Sequence, residues 1–331
     1  MKTAFLLILS QLLLLPSASP CRAAQTLDGG AHCTEMQDNS RPENFANDSV
    51  MLDYIQRVHL NYMWDGAEPN SGMAPERIHL DGVYPENDAH IVTTGGSGFG
   101  IAGLLAGIDR GFIDRAEGVK RLRKVVDFLS RADRYHGVWS HWIDGRTGKT
   151  KPFGQKDNGG DLVESSFLMA SLLCVRQYFA EGNSDERRLA ADIDTLWRGM
   201  EYDWYRNGGK DVLYWHWSPD YAWQMNFPLE GYNECLIAYI LGASSPTHAI
   251  PASCYHKGWA RSGGIKSGAR PFGHALELKH NGAEQTGGPL FWAQYSYIGF
   301  CPKNISDRYA DYWEVVRNHA LSNYDYCVSN P

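Results

Sequence analysis

Apolar residues recur at a spacing of three to four in eight separate stretches of this chain, and that repeat commits it to a helical fold. The stretches are 50–63, 99–110, 115–132, 161–179, 186–205, 232–241, 290–300 and 307–321. Alternating strand patterns are scarce, confined to short hairpins expected around 137–143 and 212–217. Between the helices lie long loops rich in Gly, Pro, Trp and His, at 64–98, 133–160, 207–231 and 243–289. The pattern predicts an all-α fold of helical hairpins around an axis, with decorated loops gathered at one end. No Ser- or Pro-rich linker interrupts 49–331, so this span reads as one domain.

Residues 1–24 read as a secretory signal: Lys2, an apolar run from Phe5 to Leu15, the breaker Pro16, then small residues up to Ala23. Residues 25–48 read as polar and irregular. No later run approaches the ~18 apolar residues of a membrane helix. The chain is therefore expected to be exported, to the periplasm or beyond, without a span or a lipid anchor. A net charge of −7 argues against nucleic acid, whose phosphates need basic patches. Of seven cysteines, Cys21 belongs to the leader, leaving Cys33, Cys174, Cys235, Cys254, Cys301 and Cys327. Their wide spacing is not that of a disulfide scaffold, and Cys174 and Cys235 read as buried thiols. No CxxC or HExxH pattern occurs, so neither a metal nor a cofactor is expected.

The chemistry points to Asp157-Asn-Gly-Gly-Asp161-Leu-Val-Glu164, three carboxylates within eight residues at the mouth of an apolar helix. Crowded like charges raise one another's pKa, which prepares a site for acid–base work. Asp161-x-x-Glu164 is equally a capping box, and acids are favoured at a helix N-terminus in any case. Asp157 is the acid that capping does not need. Glu234, at the start of another apolar helix, is a partner from elsewhere in the chain. Glycosidic hydrolysis requires two such carboxyl groups, about 5–5.5 Å apart for retention or ~6.5–9.5 Å for inversion.

Aromatic and hydrogen-bonding residues are paired in four loop segments: Trp64-Asp65-Gly66-Ala67-Glu68-Pro69, Trp139-Ser-His141-Trp142-Ile-Asp144, Trp215-His216-Trp217-Ser218-Pro219 and Gly231-Tyr232-Asn233-Glu234. A pyranose needs a flat face to stack on and polar groups for its hydroxyls, so these segments suit a carbohydrate cleft. The glycine-rich segment Thr94-Gly-Gly-Ser-Gly-Phe-Gly100 reads as a tight turn opening a helix. It lacks the preceding strand and the lysine of a nucleotide cradle.

Segments 62–69, 95–100, 139–142, 157–167, 231–234 and Gly288-Pro-Leu-Phe-Trp292 with Tyr295-Ser-Tyr-Ile-Gly-Phe300 occur in the order found in glycoside hydrolase family 144, the bacterial glucoamylase-like proteins. The resemblance spans 49–331. It implies an (α/α)6 barrel and endo-acting, inverting hydrolysis of β-1,2-linked glucan rather than starch. By position it implies Glu234 as general acid and Asp157 or Asp161 as general base, with Glu164 binding sugar or tuning the others. Trp139, His141, Trp142, Trp215, His216, Trp217, Tyr232 and Asn233 become candidate substrate contacts. Members of that family continue past the point where this chain stops, which implies a barrel incomplete at its C-terminus. Two other readings remain open: an inactive glycan-binding relic of the fold, or a same-fold enzyme of different linkage specificity.

Overall fold

The structure, a computed structural model, describes residues 44–283 and 285–330. The expected signal segment, most of the irregular segment and Cys33 lie outside the described residues. Among the described residues there are eight α-helices: α1 (Asp48–Trp64), α2 (Thr94–Asp109), α3 (Arg115–Arg131), α4 (Leu162–Phe179), α5 (Ser184–Arg198), α6 (Leu236–Ser244), α7 (Phe291–Gln294) and α8 (Tyr312–Ser329). None is long and apolar enough to cross a membrane.

Helix character alternates along the chain. α3 and α5 each carry one apolar stripe and an opposite charged face, as outer helices must. α2, α4 and α6 are apolar almost all round and are buried accordingly. α4 is the hub: it packs against α2, α5 and α6, and its Leu162, Val163, Leu168, Met169, Leu172 and Val175 see no solvent. An inner layer flanked by amphipathic outer helices is the build of an α/α toroid, and all-α is the observed class.

The inner helices α2 and α4 run parallel. Gly95 lies against Glu164, and one turn further Gly98 lies against the backbone of Phe167 and Leu168. This corrects the expected turn at 94–100, because those residues form the first turns of α2 itself. Glycine is a poor helix former, which is why the segment reads as a turn. Here it permits contact: a Cβ on Gly98 would sit 2.7 Å from the Phe167 carbonyl group. The expected helix at 290–300 is corrected likewise. It breaks after four residues into a 3-10 turn at Tyr295–Tyr297, with Gly299 at φ +85°.

Among the described residues there are seven short strands: β1 (Ile91–Thr93), β2 (Arg134–Tyr135), β3 (Val138–Trp139), β4 (Trp142–Asp144), β5 (Thr150–Lys151), β6 (Gly160–Asp161) and β7 (His216–Trp217). The hairpin expected around 137–143 lies a few residues earlier: β2 and β3 turn through His136 and Gly137, both at positive φ, while 142–144 pairs with β1 and β5. The hairpin expected at 212–217 is instead a long-range pair, with β7 lying antiparallel to β6. β1 pairs with β4, so Thr93 faces Trp142 and the start of α2 is tied to the His141 loop.

Candidate active site

Three pairings bring the site together. The β6–β7 register places His216 directly opposite Asp161. Gly159 and Gly160 make this possible, since a Cβ on either would strike the Trp217 carbonyl oxygen at 2.2 Å or the Tyr205 hydroxyl at 1.9 Å. The β1–β4 pairing brings His141 beside the α2 N-terminus, where Thr94 N–H donates to the His141 carbonyl at 3.1 Å. Ser296 fixes the entrance of α6, its hydroxyl donating to the Glu234 carbonyl at 2.6 Å and accepting from Ile237 N–H at 3.2 Å.

Asp161 is the N-cap of α4, with Oδ1 accepting from the backbone of Val163 and Glu164. The capping box is only half made. The Glu164 carboxylate does not turn back to its own cap; its Oε2 accepts from Gly95 N–H at 2.9 Å across the helix pair. A complete box exists elsewhere, at the entrance of α5, where Asn183 and Glu186 bond each other's backbone N–H reciprocally.

Asp161 also takes the Trp215 indole N–H at 2.8 Å on Oδ1 and His141 Nδ1 at 2.9 Å on Oδ2. His216 Nε2 lies 3.7 Å from Asp161 and 3.3 Å from Asp157 Oδ2. Asp161 is wholly buried, yet the two imidazoles and the cap hold its pKa below the ordinary value against desolvation. Burial opposes charge on His141, but the hydrogen bond to Asp161 and the fields of Asp161, Glu164 and Asp157 outweigh it and raise its pKa to about 9. His216 is shifted up for the same reason, with Asp157 as its main partner.

The glutamates move the other way in charge. Desolvation first, then the Asp161 charge, raise Glu164 to about 7, with Glu234 adding to the push. Desolvation also raises Glu234, whose Oε2 is buried without a hydrogen-bond partner among the described residues. Acids from the entrances of α4 and α6 therefore share one field, at the positive ends of the inner helices.

Trp142 stays half-buried, with Phe153 against it at 4.8 Å and against His141 at 4.2 Å. Phe153 escaped notice in the sequence although it stands four residues before Asp157. Trp215 is likewise half-buried and lies parallel to His216. Other expected contacts are corrected. Trp139 has no exposed surface and donates its indole N–H to the Leu129 carbonyl at 3.1 Å, so it is core. Tyr232 is buried with its hydroxyl on Tyr297 and the Ala293 carbonyl. Asn233 is buried too, its Oδ1 capping Cys235 N–H at 3.0 Å. Trp217, one residue from His216, points to the other side of the ribbon among Tyr135, His136 and Trp204. The 64–69 loop stands apart: Arg121 lies over the Trp64 ring, and Glu68 is tied to Asn70, Ser71 and His90.

His141, Asp157 and Asp161 bring potential ligand atoms within 4.8 Å of one another, the arrangement a cation would need. Here His141 Nδ1 is hydrogen-bonded to Asp161 and Asp157 faces His216, so the three side chains are already engaged with one another and with a second imidazole. Among the described residues, Cys174, Cys235, Cys254, Cys301 and Cys327 are free thiols. Cys235 is buried as expected, while Cys174 keeps some exposure; burial raises both thiol pKa values.

The glycoamylase family model matches residues 226–331. The endo-β-1,2-glucanase of Chitinophaga pinensis, solved with sophorotriose and glucose, is 61% identical, with 86% of this chain and 68% of that chain covered at a TM-score of 0.84. A β-1,2-glucanase structure from Parabacteroides distasonis is 42% identical, covering 86% and 42% of the two chains at a TM-score of 0.79. The exo-β-1,2-glucooligosaccharide sophorohydrolase of the same organism is 43% identical over 302 residues, and this chain spans 40% of its length. With two-thirds of a 61%-identical relative covered, the chain belongs to the glucoamylase-like glycoside hydrolases of the family-144 type.

Proposed function

We propose that this chain hydrolyses β-1,2-linked glucan by an inverting, endo-acting mechanism. The relatives named above act on β-1,2-glucan or its oligosaccharides, one endo and one exo, which supports the linkage. What carries this reading is the convergence of Glu164 and Glu234 from two different helix entrances: burial raises the proton affinity of both, and the field of Glu234 adds to the rise at Glu164.

In this reading Glu234 is the general acid. Its Oε2 is buried without a hydrogen-bond partner among the described residues and burial favours the protonated form, so a glycosidic oxygen would be its acceptor. Asp157 is the base that activates water on the far face of the sugar. Of the two aspartates, Asp161 is saturated and enclosed, which suits a positioning role: it holds His141, His216 and Trp215 in place. Glu164 lies in the fields of Asp161 and Glu234, and proton exchange there follows its pKa near 7. Trp142, Phe153 and Trp215 supply the aromatic walls, and His216 Nδ1, buried without a partner among the described residues, is available to a sugar hydroxyl. Export by the 1–24 segment would place the enzyme where polymeric glucan is met; N-terminal sequencing of the secreted form tests that.

The test of function is reducing-end release from linear β-1,2-glucan, with the anomer of the first product read by proton NMR. Release of an inverted anomer supports the reading. No release from this glucan, or from starch and other β-glucans, overturns it and favours the glycan-binding relic.

A further inference from the structure

On the side of the β6–β7 ribbon away from the acids lies a cavity of about 520 Å³, lined by Glu201, Asp203, Trp204, Asn207, Trp223 and His248. Trp204 lines it and is 40% exposed, a large apolar surface left open. The ring is not loose. His136 stacks on one face at 3.6 Å and 13°, and His136 Nδ1 is itself held by Glu201 Oε2 at 2.9 Å. The hairpin tip that delivers His136 is locked from behind, because Gly137 abuts the Gly199 carbonyl at the end of α5. Trp217 meets the indole edge-on at 6.1 Å and Trp223 lies tilted at 6.5 Å, and the rest of the ring fronts the cavity.

Polar groups surround this plate on the side a ring would enter. Asp203 caps the Trp204 turn and accepts from His248 through the same oxygen at 3.0 Å. Asn207 closes the turn in the left-handed region at φ +45°. Gly208 and Gly209 follow at positive φ, and a Cβ on either would meet nothing within 4 Å, so the approach is open. A fixed indole face beside carboxylates and an amide matches a pyranose, with its C–H face stacked and its vicinal hydroxyls donating to carboxylate oxygens. Carboxylates at the rim disfavour phosphorylated ligands.

We propose that Trp204 is the platform of a second glucan-binding site, separate from the acids, which holds a polymer chain whose scissile bond lies at the active site. The identity of the glycan as β-1,2-glucan rests on the function proposed above; the platform itself does not.

The test compares variants of the full chain in a Glu234→Gln background, by affinity electrophoresis through gels containing linear β-1,2-glucan, β-1,3-glucan, β-1,4-glucan or starch. Trp204→Ala should weaken retention by about tenfold, roughly what an aromatic stack contributes, and Trp204→Phe should restore part of it. With Glu234 intact, Trp204→Ala should lower turnover of long glucan several-fold and leave short β-1,2-gluco-oligosaccharides unaffected. Retention by Trp204→Ala equal to the parent's in every gel overturns the proposal. If the alanine variant melts early, unchanged retention by Trp204→Phe overturns it as well. A chain that hydrolyses no glucan, yet loses retention on Trp204→Ala, sinks the proposed activity and leaves the platform standing.

Discussion

Glu164 Oε2 accepts the backbone N–H of Gly95 at 2.9 Å, joining the first turns of two parallel inner helices through a carboxylate rather than through an apolar contact. No side chain fits between them: a Cβ on Gly95 would lie 2.0 Å from that oxygen. The glycine is thus part of how the acid is aimed.

Gly95→Ala should displace the flexible Glu164 carboxylate and lower kcat by about tenfold or more, as a misaimed catalytic group does, while the melting temperature shifts little. Gly98→Ala differs, because its Cβ would meet the Phe167 backbone at 2.7 Å. The helices must separate, so stability should fall by about 1–3 kcal/mol or more. Thermal melts and initial rates on the two variants separate the effects.

Asp161→Asn keeps an oxygen for the α4 cap but removes the charge facing His141 and His216. A buried imidazolium stripped of its carboxylate costs about 3–5 kcal/mol if it stays charged, so it should deprotonate instead. Proton NMR should show the His141 pKa falling well below its value of about 9, together with lost turnover.

Above about pH 4.5, stability should decline as pH rises through the titration of Glu164 and His141. Glu164 titrates near 7 in the fold against an ordinary 4.5, so the folded state holds its proton more tightly. Its contribution is complete below pH 4.5 and is lost as pH climbs to about 7. His141, near 9 against 6.5, contributes fully below pH 6.5 and loses that contribution as pH passes about 9. In urea titrations Glu164→Gln should flatten the lower part of this decline, leaving the variant more stable than the parent at alkaline pH and no more stable below pH 4.5.

Trp139 and Trp142 should behave oppositely although only two residues lie between them. Trp139→Phe loses a buried indole hydrogen bond and should cost about 1–3 kcal/mol with KM unchanged. Trp142→Ala should raise KM with a smaller change in the melt. Equal effects on KM would contradict the assignment of Trp139 to the core.

The helical repeat showed the class of fold in the sequence, because inner and outer helices differ in how far their apolar faces extend. The acid cluster was legible too, since Asp157, Asp161 and Glu164 are neighbours in the chain. Two things were hidden. Burial of a loop aromatic depends on what packs over it, so Trp139 and Tyr232 read as sugar plates until Leu129 and Tyr297 were seen against them. Long-range pairing also leaves no local mark: nothing near 216 says that His216 will face Asp161, and local propensity reads 94–100 as a turn because glycine's value there comes from its neighbour helix.

The measurement that bears most directly on the central claim is the titration of Glu164, followed by carboxyl carbon-13 NMR in the parent and in Glu234→Gln. Convergence of the two helix entrances predicts a midpoint near 7 in the parent and a lower one once the neighbouring carboxylate is neutralised. A parent midpoint at the ordinary glutamate value, or one that Glu234→Gln leaves unmoved, would contradict it.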